Sequence, residues 1–344
     1  MDGAEALREI AFRLERDRAP VFKVQAFRRA VTIVAGWDAD ELAARVRDGR
    51  LQRTKGIGGT TFTVLRQVAE GAVPDYLADL RERQTEPLAE GGAELRAQLR
   101  GDLHSHTEWS DGTTPIEDMV EAARVLGREY QAITDHSPNL TIANGLTSER
   151  LEQQLDALRG MSRATDGAVR ILSGIEVDIL EDGTLDQTPE MLDRLDVVVA
   201  SVHSKLRADA TTMTKRMLGA IRDPHTTVLG HCTGRLVEGS RGTRPQSQFD
   251  AAAVFAACAE HGVAVEINSR PERRDPPGDL MELALDAGCL FSIDSDAHAP
   301  GQLAFLDYGA ERAAAHGVPA ERIISTWPVE RLLAHARRNR SGSE

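Results

Sequence analysis

From residue 101 onward, seven short apolar runs alternate with amphipathic stretches, and six of the seven lead into a histidine or a carboxylate. The runs are Leu103, Ala132–Thr134, Ile171–Leu172, Val197–Ala200, Val228–Leu229, Val263–Ile267 and Leu290–Ile293. Between them, stretches such as Ile116 to Leu126 and Ser148 to Leu158 carry apolar residues at helical spacing. Strand–helix alternation predicts an α/β fold with a parallel sheet. Seven units fit a barrel better than an open sheet, although periodicity alone is compatible with both.

The polar residues follow these units closely. His104 and His106 stand two apart at the end of the first run, so strand alternation points both to one face. Asp111 follows in the next loop. The later runs lead into Asp135-His136, Glu176, His203, His231 and Asp296-Ala297-His298. In an α/β barrel the C-terminal strand ends form one rim, so these side chains converge. Imidazole and carboxylate together are ligands for zinc, manganese or iron. A single histidine at a strand end is ordinarily a satisfied core or loop residue. Six strand ends showing the same pattern are hard to explain as packing, because buried carboxylates and imidazoles without a cation would be badly destabilised. His225, His261, His316 and His335 fall in helices or connecting loops and are read as structural.

Composition narrows the class. Three cysteines (Cys232, Cys258 and Cys289) lack CxxC spacing, which points to a reducing compartment and cytoplasmic residence. Cys232 follows His231 and could line the site, but no role is assigned to it. No run is long and apolar enough for a transmembrane helix, and the N-terminus does not read as a signal peptide. The net charge of −13 argues against wrapping nucleic acid over the whole surface. The charge is uneven: residues 1–80 carry a net +1 and the remainder −14.

Residues 1–80 read as a small helical domain. Four helices are expected: one around Ala6 to Leu14, one over 21–36, one from Asp40 to Val46, and one opening after Lys55-Gly56-Ile57-Gly58-Gly59 and stopped by Gly71 and Pro74. Residues 81–99, charged and containing Pro87 and Gly91-Gly92, read as a partly helical linker. The barrel is expected over 100–340.

The segment Gly101-Asp102-Leu103-His104-Ser105-His106 through Ser110-Asp111-Gly112 resembles the polymerase-and-histidinol-phosphatase (PHP) domain. The likeness continues through Thr134-Asp135-His136-Ser137, Ala143-Asn144-Gly145-Leu146, Gly174-Ile175-Glu176-Val177-Asp178, Ser201-Val202-His203, Gly230-His231 and Asp296-Ala297-His298. Within that family it is most similar to the PHP domain of bacterial family X DNA polymerases. The resemblance implies a distorted (β/α)7 barrel holding three divalent metal ions: zinc, manganese or iron. By position, His104, His106, Glu176 and Asp296 look like ligands of the first metal. Glu176 would bridge to the second, with His203 and His231, and Asp111, His136 and His298 match the third. The family often has histidine where Asp111 stands. The implied activity is phosphoester hydrolysis by a water that the metals activate. Lys205, Arg207, Arg235 and Arg270 are candidates to hold phosphoryl oxygens, Arg235 and Arg270 ahead because each lies near a strand end.

The N-terminal domain is similar to the helix-hairpin-helix domain of the same polymerases. There Lys55, Gly56, Gly58 and Gly59 would meet a DNA phosphate through backbone N–H groups at a helix start. Two departures shape the expectation. The helix after this hairpin, Thr60 to Arg66, has no lysine for Schiff-base chemistry, so no lyase activity is expected. Too few residues separate the two domains for a polymerase domain, so no DNA synthesis is expected either. The sequence therefore predicts a metal-dependent phosphoesterase acting on DNA 3′ ends in repair, as a 3′-5′ exonuclease or 3′-phosphatase. The alternatives are a small-molecule phosphatase of the histidinol-phosphatase type and a non-catalytic DNA-binding protein.

Overall fold

The computed structural model describes residues 1–164, 168–239, 242–338 and 340. The chain divides into two units, Met1–Pro87 and Leu88–Glu344. The first is entirely helical among the described residues: Gly3–Arg16, Val21–Val34, Ala39–Arg47, Arg50–Arg53, Gly59–Ala69 and Asp75–Arg83. Asp2 and Glu5 close a reciprocal cap at its start. Leu7, Ile10, Phe27, Leu51, Leu65 and Leu77 form its core. Arg28 donates from Nε and Nη2 to the two oxygens of the buried Glu15, both at 2.8 Å.

Two helices exceed the four expected. One is the turn Arg50–Arg53. The helix Gly59–Ala69 stops before Gly71 and Pro74 as expected, and the other additional helix, Asp75–Arg83, then begins at Pro74, since proline lacks only an N–H that a helix start leaves unpaired anyway. It buries Leu77 and Leu80 at helical spacing. The stretch 81–99 is accordingly not a separate linker. Its first residues finish this helix, and from Leu88 the chain packs onto the second unit. Leu88 N–H donates to Asp307 (2.8 Å) and Gly91 N–H to Glu311 (3.1 Å). Gly92, at φ +72°, passes so close to Ala310 that a Cβ would stand 2.5 Å from its backbone.

The second unit holds seven parallel strands: β1 (Gly101–Asp102), β2 (Tyr130–Ile133), β3 (Arg170–Asp178), β4 (Val197–Ser201), β5 (Val228–Leu229), β6 (Ala264–Asn268) and β7 (Phe291–Asp294). They pair in sequence order, β1 to β7. A parallel bridge between Ser105 and Ala297 brings the two ends of the ring together just beyond β1 and β7, as does Leu103 N–H on Asp294 (3.0 Å). The result is a nearly closed (β/α)7 barrel. Each expected apolar run coincides with a strand or abuts one. β3 is longer than its two-residue run suggested: burial continues past Leu172 to Asp178, so Glu176 lies inside the strand. Leu103, Tyr130, Leu172, Val197, Val199 and Val228 fill the barrel together with Trp327 and Leu332 from the C-terminal segment. Among the described residues no helix is long and apolar enough to cross a membrane.

His335, on the last helix Val329–Ala336, donates from Nε2 to the Gly262 carbonyl at 2.9 Å. Burial, reinforced by the nearby Arg338, holds its pKa down to about 4. The unfolded chain binds this proton at about 6.5, so His335 leaves stability intact above that pH and erodes it as the pH falls from there to about 4. His335→Gln should show a shallower loss of melting temperature over that interval than the parent.

Candidate metal centre

Each strand delivers its polar residue through ordinary β geometry. His104 and His106 leave β1 two apart and both are fully buried. Asp111 follows on the loop 107–114, which the buried Asp135 anchors: its carboxylate accepts from Thr107 N–H (2.8 Å), Thr107 Oγ1 (2.6 Å), Ser110 Oγ (2.5 Å) and Gln154 Nε2 (2.6 Å). His136 follows β2, Glu176 lies on β3, and His203 and His231 follow β4 and β5. Asp296 and His298 follow β7, Asp296 in a left-handed conformation at φ +52°.

These nine residues meet. Glu176 stands at the centre. Its Oε2 lies 2.9 Å from His136 Nδ1, 3.3 Å from His104 Nε2 and 3.6 Å from His106 Nε2. Its Oε1 lies 2.8 Å from His231 Nε2 and 3.2 Å from His203 Nε2. Asp111 Oδ1 lies 3.4 Å from both His136 Nε2 and His298 Nε2. Asp296 Oδ1 lies 3.5 Å from His106 Nε2. Three groups have donor atoms close enough to share an ion: His104, His106 and Asp296; His136, Glu176 and His203; and His106, Asp111, His136 and His298. The second group includes His136, expected with the third metal only; His231 lies outside it, 2.8 Å from Glu176 Oε1 and edge-on to the His203 ring.

The donor set fits cations. His104 Nε2, both His106 nitrogens, His136 Nδ1 and His203 Nε2 are buried and make no hydrogen bond. Buried nitrogens are rarely left so, and here each stands within 4 Å of a carboxylate oxygen, close enough to share an ion instead. Electrostatics agree. Burial opposes charge on His104, His136 and His203, yet the surrounding carboxylates, Glu176 foremost, outweigh it and raise all three, His136 to about 10. Burial lowers His231, and with the neighbouring His298 and His136 it holds His106 down to about 3. Although burial alone would raise them, Glu176, Asp296 and Asp111 are held below the usual carboxylate range by adjacent histidines and, for Asp296, first by Arg273 and Arg270.

The cationic candidates separate. Arg270 reaches the cluster: its Nη1 donates to the Asp296 carbonyl (3.1 Å) and lies 2.9 Å from His298 Nδ1. Arg235 donates instead to the carbonyls of Arg273 and Arg274. Lys205 is exposed and pairs loosely with Glu181 at 3.9 Å, and Arg207 is exposed. Cys232 Sγ faces Asp275 rather than a ligand. Residues not singled out in the sequence also touch ligands. Arg273 Nε donates to Asp296 Oδ2 at 3.0 Å, and Asp178 Oδ1 holds the backbone N–H and Nδ1 of His203 at 3.1 and 3.2 Å. Asp178 could have been found, two residues beyond Glu176 on the same face of β3.

Residues 102–270 match the family model described as the PHP domain. The chain is 31% identical over 242 residues to "Probable phosphatase YcdX" of Escherichia coli O139:H28 (strain E24377A / ETEC), covering 67% of this chain and 91% of that one. It is 34% identical over 242 residues to "DNA polymerase/3'-5' exonuclease PolX" of Bacillus subtilis (strain 168), covering 70% of this chain but only 42% of that protein. A crystal structure of histidinol phosphate phosphatase from Lactococcus lactis, complexed with zinc, L-histidinol and phosphate, aligns with 72% of this chain and 95% of its own at 15% identity and a TM-score of 0.41. Site and relatives together define a metal-dependent phosphoesterase. Within that class the chain belongs to the PHP family.

Returning Zn²⁺ or Mn²⁺ to chelator-stripped protein should raise its melting temperature, with stabilisation of about 2.7 kcal/mol when free metal is 100 times Kd. Glu176→Gln, which removes the charge common to five histidines, should lose most of that gain in the same thermal-shift titration.

Proposed function

We propose that this protein processes DNA 3′ ends, releasing nucleotides or blocking phosphates in repair, with the barrel as the hydrolytic site and the helical unit as a grip on DNA backbone. The observation that carries the hydrolytic part is Glu176, ringed by five imidazoles with unpaired nitrogens around it. In this reading His104, His106, Glu176 and Asp296 hold a first divalent ion, Glu176, His203 and His231 a second, and Asp111, His136 and His298 a third. Such ions supply a nucleophilic water at neutral pH and offset charge on phosphoryl oxygens. The chain's own residues fix where the phosphoryl group sits. Arg270, beside His298 and Asp296, is the candidate contact to a non-bridging oxygen, and Lys205 and Arg235 rank below it because their bonds run elsewhere.

Support for DNA comes from the likeness to PolX and from the hairpin before the helix Gly59–Ala69. Gly56 takes φ +94°, and a Cβ there would stand 2.7 Å from Ile33. Nothing lies within 4 Å of where a Cβ would stand on Gly58 or Gly59, and Lys55 is exposed beside them. This leaves backbone and one cation open to a phosphate. The likeness to YcdX supports the second reading, a phosphatase for a small phosphomonoester.

With Mn²⁺ or Zn²⁺, purified protein should shorten a 5′-labelled oligonucleotide, and EDTA should stop it. Asp296→Ala should fall by at least about 100-fold, since residues merely supporting a ligand already cost 10–100-fold. Phosphate release from histidinol phosphate with no change to DNA would replace this reading by the second. For the helical unit, Lys55→Ala should weaken DNA binding and reduce the slope of log K against log salt by about 1; an unchanged slope would remove Lys55 from the contact.

A further inference from the structure

We infer that Glu266, on the one strand that supplies no ligand, is the positioning residue for His104 and His231, and that Asn268 extends its hold to Asp296. This rests on the metal-centre reading above.

Alternation along β6 turns Ala264, Glu266 and Asn268 toward the barrel interior. Glu266 is fully buried, a placement that costs several kcal/mol for a carboxylate unless donors surround it. It has three. Oε1 lies 2.5 Å from His104 Nδ1. Oε2 accepts from the His231 backbone N–H at 2.5 Å and from Asn268 Nδ2 at 3.1 Å. Asn268 Oδ1 accepts the Arg270 N–H at 3.1 Å, which fixes the amide's orientation, and Nδ2 then also reaches Asp296 Oδ2 at 3.1 Å.

The consequence for His104 follows from its two nitrogens. A carboxylate can only accept, so Nδ1 must carry the proton. In the neutral imidazole that a metal would take, Nε2 then keeps the lone pair, and it is the atom that faces Glu176 without a hydrogen bond. His231 is held differently, by its main chain, so that Nε2 meets Glu176 Oε1. Asp296 has Oδ2 occupied by Asn268 and Arg273, which reserves Oδ1 for an ion. Glutamine could not replace Glu266. It offers one oxygen and one NH2, so a donor would face either His104 Nδ1–H or the His231 N–H. Facing His104, it would favour the opposite tautomer, with the proton on Nε2 and the ligand lone pair gone.

The test compares full-length parent and Glu266→Gln after chelator stripping, with folding checked by circular dichroism. Zn²⁺ affinity is measured by competition with a chromophoric chelator, and bound metal per chain by elemental analysis. Glu266→Gln should bind its tightest Zn²⁺ about 10–100-fold more weakly. Equal affinity and stoichiometry in the two proteins would overturn the inference while leaving the metal centre standing. A parent that takes up no divalent ion would instead overturn the metal-centre reading on which the inference rests. If Glu266→Gln does not fold, the parent still decides: in Zn²⁺-loaded protein labelled with ¹⁵N-histidine, and assigned against His104→Gln, His104 should be protonated at Nδ1. A proton at Nε2 would overturn the assignment.

Discussion

One buried carboxylate organises the second unit. Glu176 sits inside β3 with five imidazoles from four other segments turned toward its two oxygens, and burial on this scale is tolerable only where opposite charge is supplied. The barrel supplies it from all sides. Strands that would otherwise need only apolar interiors end in imidazoles and carboxylates, whose lost hydration a cation can offset. The lower interior, from Leu103 and Tyr130 to Trp327 and Leu332, is ordinary hydrophobic packing, and it holds the strand ends in register so that the charges above it can meet.

Most of this arrangement was legible in the sequence because a parallel barrel converts position along a strand into position on a rim. A histidine after an apolar run is a local signal, and seven runs in series favour a barrel over an open sheet without deciding between them. The signal failed where chemistry sits within a run. Glu266 interrupts Val263–Ile267 and reads as a blemish in an apolar stretch; only pairing across the barrel shows that it faces His104, 162 residues away. Arg273 failed for a related reason: it lies in a loop after β6, and nothing local says that its guanidinium turns back to Asp296. Pro74 lies past the end of the helix Gly59–Ala69, as expected, but it also opens Asp75–Arg83, which a stop signal does not announce. His136 shows a finer limit, because with two ring nitrogens it faces two of the three clusters, which spacing cannot express.

The two units follow different rules. The barrel buries a few carboxylates where cations are wanted, whereas the helical unit is nearly neutral and places glycines and Lys55 at a hairpin open to solvent. Nothing in the helical core of Leu7, Phe27 and Leu65 requires that hairpin to carry a cation. Its chemistry is therefore separable from its packing, unlike that of the barrel, where Glu176 and Glu266 are part of both.

The ring of strands has a seam. β1 and β7 meet through the Ser105–Ala297 bridge and through Leu103 on Asp294, the latter pair 191 residues apart in the chain. His104 and His106 lie on one lip of that seam, and Asp296 and His298 on the other. An ion held between the lips would act as a clasp. It would join the two ends of the barrel sequence at the place where loop closure is entropically most demanding, so the atoms proposed for hydrolysis would also lock the cylinder.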